Sequence, residues 1–163
     1  MRIGFGWDSH RLVPARRLML GGVHIACPVG EDGHSDGDVL LHALIDAFLG
    51  AAALGDIGTY FPSSDDRWKD ADSMLLLEKT YQKITAVGLS THNIDITVIV
   101  EQPELSPYIE QIRTSIASIV HTDISQVSVK AKSAEGIGPV GEGKSIEAHA
   151  AVLLNEETPD IWI

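Results

Sequence analysis

The chain has 163 residues, 44% of them hydrophobic and 21% charged, which is enough apolar material for one folded domain and too much for global disorder. Its formal net charge of −11 argues against nucleic acid or an anionic membrane as partner, so a phosphorylated ligand would have to be drawn in by local positive charge. No stretch approaches the roughly 20 continuous apolar residues that span a bilayer, the N-terminus lacks a signal-peptide pattern, and the single cysteine, Cys27, reads as a small buried residue of a cytoplasmic protein.

Residues 2–7 read as a first strand, and Leu18 to Ile25, with Gly21 and Gly22 at the bend, as a hairpin. Residues 30–37 read as loop. Ser35 is expected to cap the helix that follows, with Asp36 and Asp38 in its first turn. That helix runs to about Leu54; Val39, Leu40, Leu41, Leu44, Ile45, Phe48 and Leu49 cover most of its circumference, so it should be buried. Gly55-Asp56-Ile57-Gly58 ends it, and residues 59–70 form a polar loop. A second helix is expected over residues 73–87, with Met74, Leu77, Tyr81 and Ile84 on one face and Gly88 as its stop. Ile94, Ile96, Val98 and Val100 alternate as a half-buried strand. Ser106-Pro107 starts a third helix whose apolar face is Ile109, Ile112, Ile116 and Ile119. Val127, Val129 and Ala131 form another alternating strand, and after a glycine-rich turn at 136–143 residues 146–154 form the last. The expected fold is α+β, a single domain over residues 1–163 with one sheet covered by three helices on one face.

Two segments carry the chemistry: Asp8-Ser9-His10, and Gly33-His34-Ser35-Asp36-Gly37-Asp38 leading into His42. Asp8 and His10 are two apart, so in an extended segment their side chains share a face. Asp38, His42 and Asp46 recur every fourth residue and form one polar line on an otherwise apolar helix. His42 reads either as a core histidine satisfied by a helical neighbour or as a metal ligand with Asp38 or Asp46 behind it. Two His and one Asp brought together make a three-donor site for a divalent metal, with a position open for substrate. His34 and Ser35 precede a helix N-terminus, where free N–H groups favour phosphate. His24, His92, His121 and His149 have no partner pattern.

These residues in this order resemble the 2-C-methyl-D-erythritol 2,4-cyclodiphosphate synthase family of the non-mevalonate isoprenoid pathway. The likeness extends over nearly the whole chain, through Gly4-Phe5-Gly6-Trp7-Asp8-Ser9-His10, Gly33 to Asp38, His42-Ala43, Asp46-Ala47, Gly55-Asp56-Ile57-Gly58, Phe61-Pro62, Asn93-Ile94-Asp95, Pro103, and Val129-Lys130-Ala131 to Glu135. The resemblance implies a homotrimeric phosphorus–oxygen lyase with each active site between two subunits. Its substrate is 4-diphosphocytidyl-2-C-methyl-D-erythritol 2-phosphate, and its products are the cyclic diphosphate and CMP. By the same resemblance Asp8, His10 and His42 are ligands of one Zn²⁺ per subunit, and Ser9, His34 and Ser35 belong to the substrate site beside it. Asp56, Ile57 and Gly58 hold the methylerythritol, with Phe61, Pro62, Ser63, Ser64 and Asp65 lining that pocket. From the neighbouring subunit, Val100, Glu101, Gln102, Pro103, Glu104, Leu105 and Ser106 form the cytosine loop. Ala131, Lys132, Ser133, Ala134 and Glu135 meet the diphosphate, with Glu135 helping to hold Mg²⁺ or Mn²⁺. His34 and Ser133 are the residues implied in catalysis.

Some positions depart from the family pattern. Lys132 and Ser133 stand where many members carry two threonines, Ser63 where an acid is common, and Glu104 where a lysine is common. Pro139 and Glu142 replace a Phe and an Arg; three Glu142 carboxylates approaching the threefold axis should repel a prenyl diphosphate there, unless Lys144 compensates or pairs with Glu142. Two rival readings remain at this stage: a zinc phosphohydrolase, which would release a linear diphosphate, and a trimeric metal-dependent nucleotide-binding protein without turnover.

Overall fold

The structure is a computed structural model that describes residues 1–156; residues 157–163, which the expected domain includes, lie outside the described residues. In chain order its elements are β1 (Arg2–Pro14), β2 (Leu18–Leu20), β3 (Val23–Ile25), β4 (Val29–Asp32), α1 (Val39–Ala51) and α2 (Ile57–Tyr60). There follow α3 (Ser73–Ala86), β5 (Leu89–Ile99), α4 (Ile109–Ile119), β6 (Val127–Lys132), the short turn α5 (Gly138–Gly141) and β7 (Ser145–Glu156).

Five strands form one mixed sheet in the order β4-β1-β7-β5-β6, while β2 and β3 pair as the expected hairpin. β1 is twice as long as the alternation suggests because it has two partners in succession: β7 along residues 2–11 and β4 along residues 11–14. β6 lies parallel to β5, an arrangement that needs a crossover, and α4 supplies it.

Even-numbered residues of β1 and β7 point to the helical layer and odd-numbered ones away from it. On the inner side α1 lies directly across the sheet. Gly4 and Gly6 make that approach possible, since a Cβ at either would run into the backbone carbonyl of Ala47 or Ala43. Being buried on all sides, α1 carries apolar residues all round, as its sequence implies. α3 and α4 complete the layer through Leu76, Leu77, Tyr81 and Ile84, and through Ile112 and Ile116. Met74, Ile109 and Ile119, expected on those faces, are only partly buried against the core. The odd face of β1 stays uncovered: Ile3, Phe5 and Trp7 are 77, 65 and 50% exposed. An apolar row of that size is unusual on an isolated soluble chain and marks a surface built to be covered.

The start of α1 differs from the sequence expectation. Asp38, not Ser35, is its N-cap: one carboxylate oxygen accepts from Leu41 N–H at 3.0 Å and the other from Gly22 N–H at 2.8 Å. A cap with a second tertiary partner outcompetes a serine that has none at the helix end, and Ser35 is thereby released for another task. α1 also stops at Ala51 rather than Leu54. The expected polar loop at 59–70 contains α2's last residues and a 3₁₀ turn at Asp66–Trp68.

Candidate active site

Asp8 and His10 share the inward side of β1 with Gly4 and Gly6, and His42 comes down onto them from α1. His10 Nε2 lies 3.2 Å and His42 Nδ1 3.1 Å from the same Asp8 oxygen, Oδ2. The three donors all fall within 4.8 Å of one another. A tetrahedral zinc with donors at about 2.0–2.1 Å spaces them about 3.3 Å apart, so the carboxylate and two imidazoles fit such an ion after small adjustments. Two nitrogen donors and one oxygen also leave a fourth position free, as a cation that must meet a substrate requires.

The electrostatics agree with a cation centre. Burial works to raise the Asp8 carboxyl, but hydrogen bonds and charge from His10 and His42 outweigh it and hold Asp8 well below the usual carboxylate range. Burial works to lower His10, yet Asp8 and Glu31 overcome it and push the imidazole up to about 10. Without a metal, then, His10 holds a proton that a bound divalent cation would displace.

The groups behind the histidines are not those the sequence suggests. Asp38 is spent on capping, and Asp46 accepts from Ile57 N–H at 2.7 Å, fixing the start of α2. His42 Nε2 instead meets the hydroxyls of Ser35 at 2.9 Å and Ser73 at 3.2 Å. The Ser73 hydroxyl donates to Asp36 Oδ1, so it can accept from His42 Nε2–H. That tautomer leaves the Nδ1 lone pair facing Asp8 and the cation position. Behind His10, Nδ1 sits 2.8 Å from Glu31 Oε2 and 2.6 Å from the Gly37 carbonyl. A carbonyl can only accept, so Nδ1 carries the proton and Nε2 is free to ligate.

Neither Glu31 nor Ser73 was legible as a site residue. Glu31 follows from strand register, since Leu12 faces it across β1 and β4. Ser73 reads simply as a helix start; its only signal is the Asp72 cap directly before it.

The N-terminus of α1 is partly occupied. Its N–H groups at Val39 and Leu41 are taken by the carboxylates of Glu31 and Asp38. His34 is half-buried with Nε2 3.4 Å from the Asp65 carbonyl, and Ser35 is buried with its hydroxyl turned to His42.

Beside the triad lies a cleft of about 270 Å³ lined by His10, His34, Ser35, His42, Ile57, Gly58, Phe61, Ser63, Trp68 and Leu76. Phe61 packs edge-to-face on Trp68 at 5.0 Å between centroids; the sequence reading found Phe61 and missed Trp68. Pro62, Ser64 and Asp65 continue this loop, with Asp65 fastened to Arg67. Asp56, which does not line this cleft, is exposed and caps α2 through Thr59. Ser9 lies on the exposed, odd side of β1.

A second pocket, of about 530 Å³, is lined by Val100 through Ser106 together with Ile109, Ala131, Lys132 and Ser133. Glu101 ties it to the following loop, accepting from Ala134 N–H at 3.2 Å, while the Ser133 hydroxyl donates to Glu135 at 2.6 Å. The two pockets are distant within one chain. Asp8 faces Ala148, Ala148 faces Val98, and Val98 faces Ala131. Three strand spacings of about 4.8 Å put roughly 14 Å between the halves of the expected site. Near the last turn Glu142 pairs with Lys144 at 2.5 Å, the neutral-pair alternative for these two residues.

The profile of the YgbB family matches residues 1–155. Over 154 residues the chain is 51% identical to the 2-C-methyl-D-erythritol 2,4-cyclodiphosphate synthase of Treponema denticola, covering 94% of this chain and 96% of that one. It is 54% identical to the synthase of Moorella thermoacetica, again over 154 residues and 94% of both chains. Among solved structures it is similar to the IspF of Plasmodium falciparum in complex with CDP, with a TM-score of 0.85, 36% identity, and 96 and 97% of the two chains covered.

Proposed function

The chain belongs to the YgbB family, and we propose that it converts 4-diphosphocytidyl-2-C-methyl-D-erythritol 2-phosphate to 2-C-methyl-D-erythritol 2,4-cyclodiphosphate and CMP in the non-mevalonate isoprenoid pathway, as a phosphorus–oxygen lyase. The observation that carries this reading is a three-donor cation centre opening on one cleft, with a separate nucleotide-sized pocket on the same sheet. The CDP held by the Plasmodium falciparum relative supports a cytidine nucleotide as the occupant of the second pocket.

The reaction is an intramolecular phosphoryl transfer. The substrate's own 2-phosphate attacks the β-phosphorus of its diphosphate, and CMP leaves. The protein has to fold a flexible, highly charged molecule and offset its charge. Asp8, His10 and His42 would hold one Zn²⁺, which supplies charge neutralisation at the phosphate oxygens when bound. His34 and the Ser35 loop would orient the phosphate beside it. Asp56, Ile57 and Gly58 would hold the methylerythritol against the Phe61–Asp65 loop. Val100 to Ser106 would take the cytosine. Lys132 and Ser133 would contact the diphosphate, flanked by Ala131 and Ala134, with Glu135 helping to hold Mg²⁺ or Mn²⁺ there.

Both halves of this site are assigned to one diphosphate, yet they are three strands apart in one chain. That separation supports a homotrimer in which the cleft of one copy meets the second pocket of its neighbour, and the uncovered Ile3, Phe5 and Trp7 give such an assembly an apolar surface to bury. Among the described residues no helix is long and apolar enough to cross a membrane. The unpaired Cys27 supports the reducing cytoplasm as its compartment. Incubation with the substrate should release CMP and the cyclic diphosphate in equal amounts, read by mass spectrometry, and a zinc chelator should stop the release. A linear diphosphate product would point to a phosphohydrolase instead.

A further inference from the structure

The metal centre has one neighbour that the fold alone does not explain. Glu31 is completely buried, and its Oε1 has no hydrogen-bond partner among the described residues. Its other oxygen, Oε2, accepts from Val39 N–H at 2.9 Å and from His10 Nδ1–H at 2.8 Å. A buried carboxylate with half its capacity unmet is costly. Helix capping accounts for only part of it: Oε2 takes the Val39 N–H that Asp38 leaves free at the start of α1, but a neutral acceptor would serve that purpose without burying a charge, and the second contact is to a metal-ligating histidine.

Charge does account for it. Asp8 contributes one negative charge, and neutral His10 and His42 contribute none, so a divalent ion on these donors leaves a net charge of about +1 in a largely buried place. Glu31 offsets it behind His10, one hydrogen bond further out, as Asp36 does more remotely behind His42 through Ser73. We propose that Glu31 is the positioning residue of the metal centre: it holds His10 with Nε2 toward the ion and neutralises the loaded site.

The surroundings are shaped for that contact. Arg16 donates to the carbonyls of Glu31 and Gly33, pinning the segment that delivers both groups. Gly37 has φ +84, and a Cβ there would sit 3.0 Å from the Glu31 Cβ. Only glycine both turns its carbonyl to His10 and leaves Glu31 room. Partners of this kind behind a metal-ligating histidine typically change affinity 10- to 100-fold.

The proposal rests on the Asp8–His10–His42 reading, and its test separates the two. Zinc affinity is measured by competition with a chromogenic chelator on the whole protein, and the melting midpoint is measured on metal-free protein. Wild-type protein that takes up no zinc would overturn the triad itself before any variant is compared. With the triad upheld, Glu31→Leu should bind zinc roughly 10- to 100-fold more weakly; its metal-free midpoint should fall as well, because Val39 N–H and the His10 imidazolium both lose their Glu31 partner. Glu31→Gln keeps an acceptor for His10 but not the charge; its loss should be smaller, and it carries the test if the leucine variant does not fold. Wild-type zinc affinity in Glu31→Gln and in any folded Glu31→Leu would overturn the proposal, as would a Glu31→Gln affinity loss matched by a lowered metal-free midpoint, since glutamine keeps an acceptor for both Val39 and His10.

Discussion

His42→Ala is expected to lose its zinc and its activity while remaining folded. A three-donor zinc site is worth on the order of 10 kcal/mol, so removing one donor should cost about 4 kcal/mol, or roughly a 10³-fold weaker affinity. The histidine also satisfies the Ser35 and Ser73 hydroxyls, at 2.9 and 3.2 Å. Their loss of a partner should lower stability by about 1–3 kcal/mol, less than a domain of this size can absorb. Elemental analysis after gel filtration should therefore find about one zinc per wild-type chain and close to none in the variant, with the helical circular dichroism retained. A His42→Ala protein that stays active without metal would contradict the triad.

The second large effect is a recovery. Asp8→Asn removes the shared oxygen of the cation centre, and Ser133→Ala removes a hydroxyl from the second pocket. Each protein alone should be strongly impaired. If a site takes its cleft from one copy and its second pocket from the next, a one-to-one mixture places both intact halves together in about one quarter of the sites. Steady-state CMP release after subunit exchange should rise toward that fraction of wild type. Exchange proven by mass spectrometry without recovery would mean that one chain builds the whole site.

The fold was legible where a residue pattern answers to a single demand. α1 is apolar all round because it is buried all round, and Ile94, Ile96 and Val98 alternate because only one face of β5 meets the helices. The triad was legible for a similar reason: Asp-x-His on a strand and His42 on a greasy helix are each out of place unless something charged joins them. Capping and the outer shell of the site were not legible, because they depend on who arrives from elsewhere. Ser35 is as good a cap as Asp38 in isolation, and only Gly22 N–H, brought in by the β2–β3 hairpin, decides between them. Asp46 has the right spacing to back His42 but meets Ile57 N–H first. Glu31 and His10 are 21 residues apart and become neighbours through the β1–β4 register, for which the sequence carries no periodic mark. Trp68 lay in what reads as a polar loop, and its place in the cleft depends on packing against Phe61.

A crystal structure of the assembled protein with zinc and CDP tests whether one reaction site is shared between two copies of this chain. Zinc is expected on Asp8 Oδ2, His10 Nε2 and His42 Nδ1, with the cytosine in the Val100–Ser106 pocket of one copy and the diphosphate reaching the zinc of its neighbour. A diphosphate held by the zinc and the cytosine pocket of the same chain, or a zinc bound away from these three donors, would contradict it.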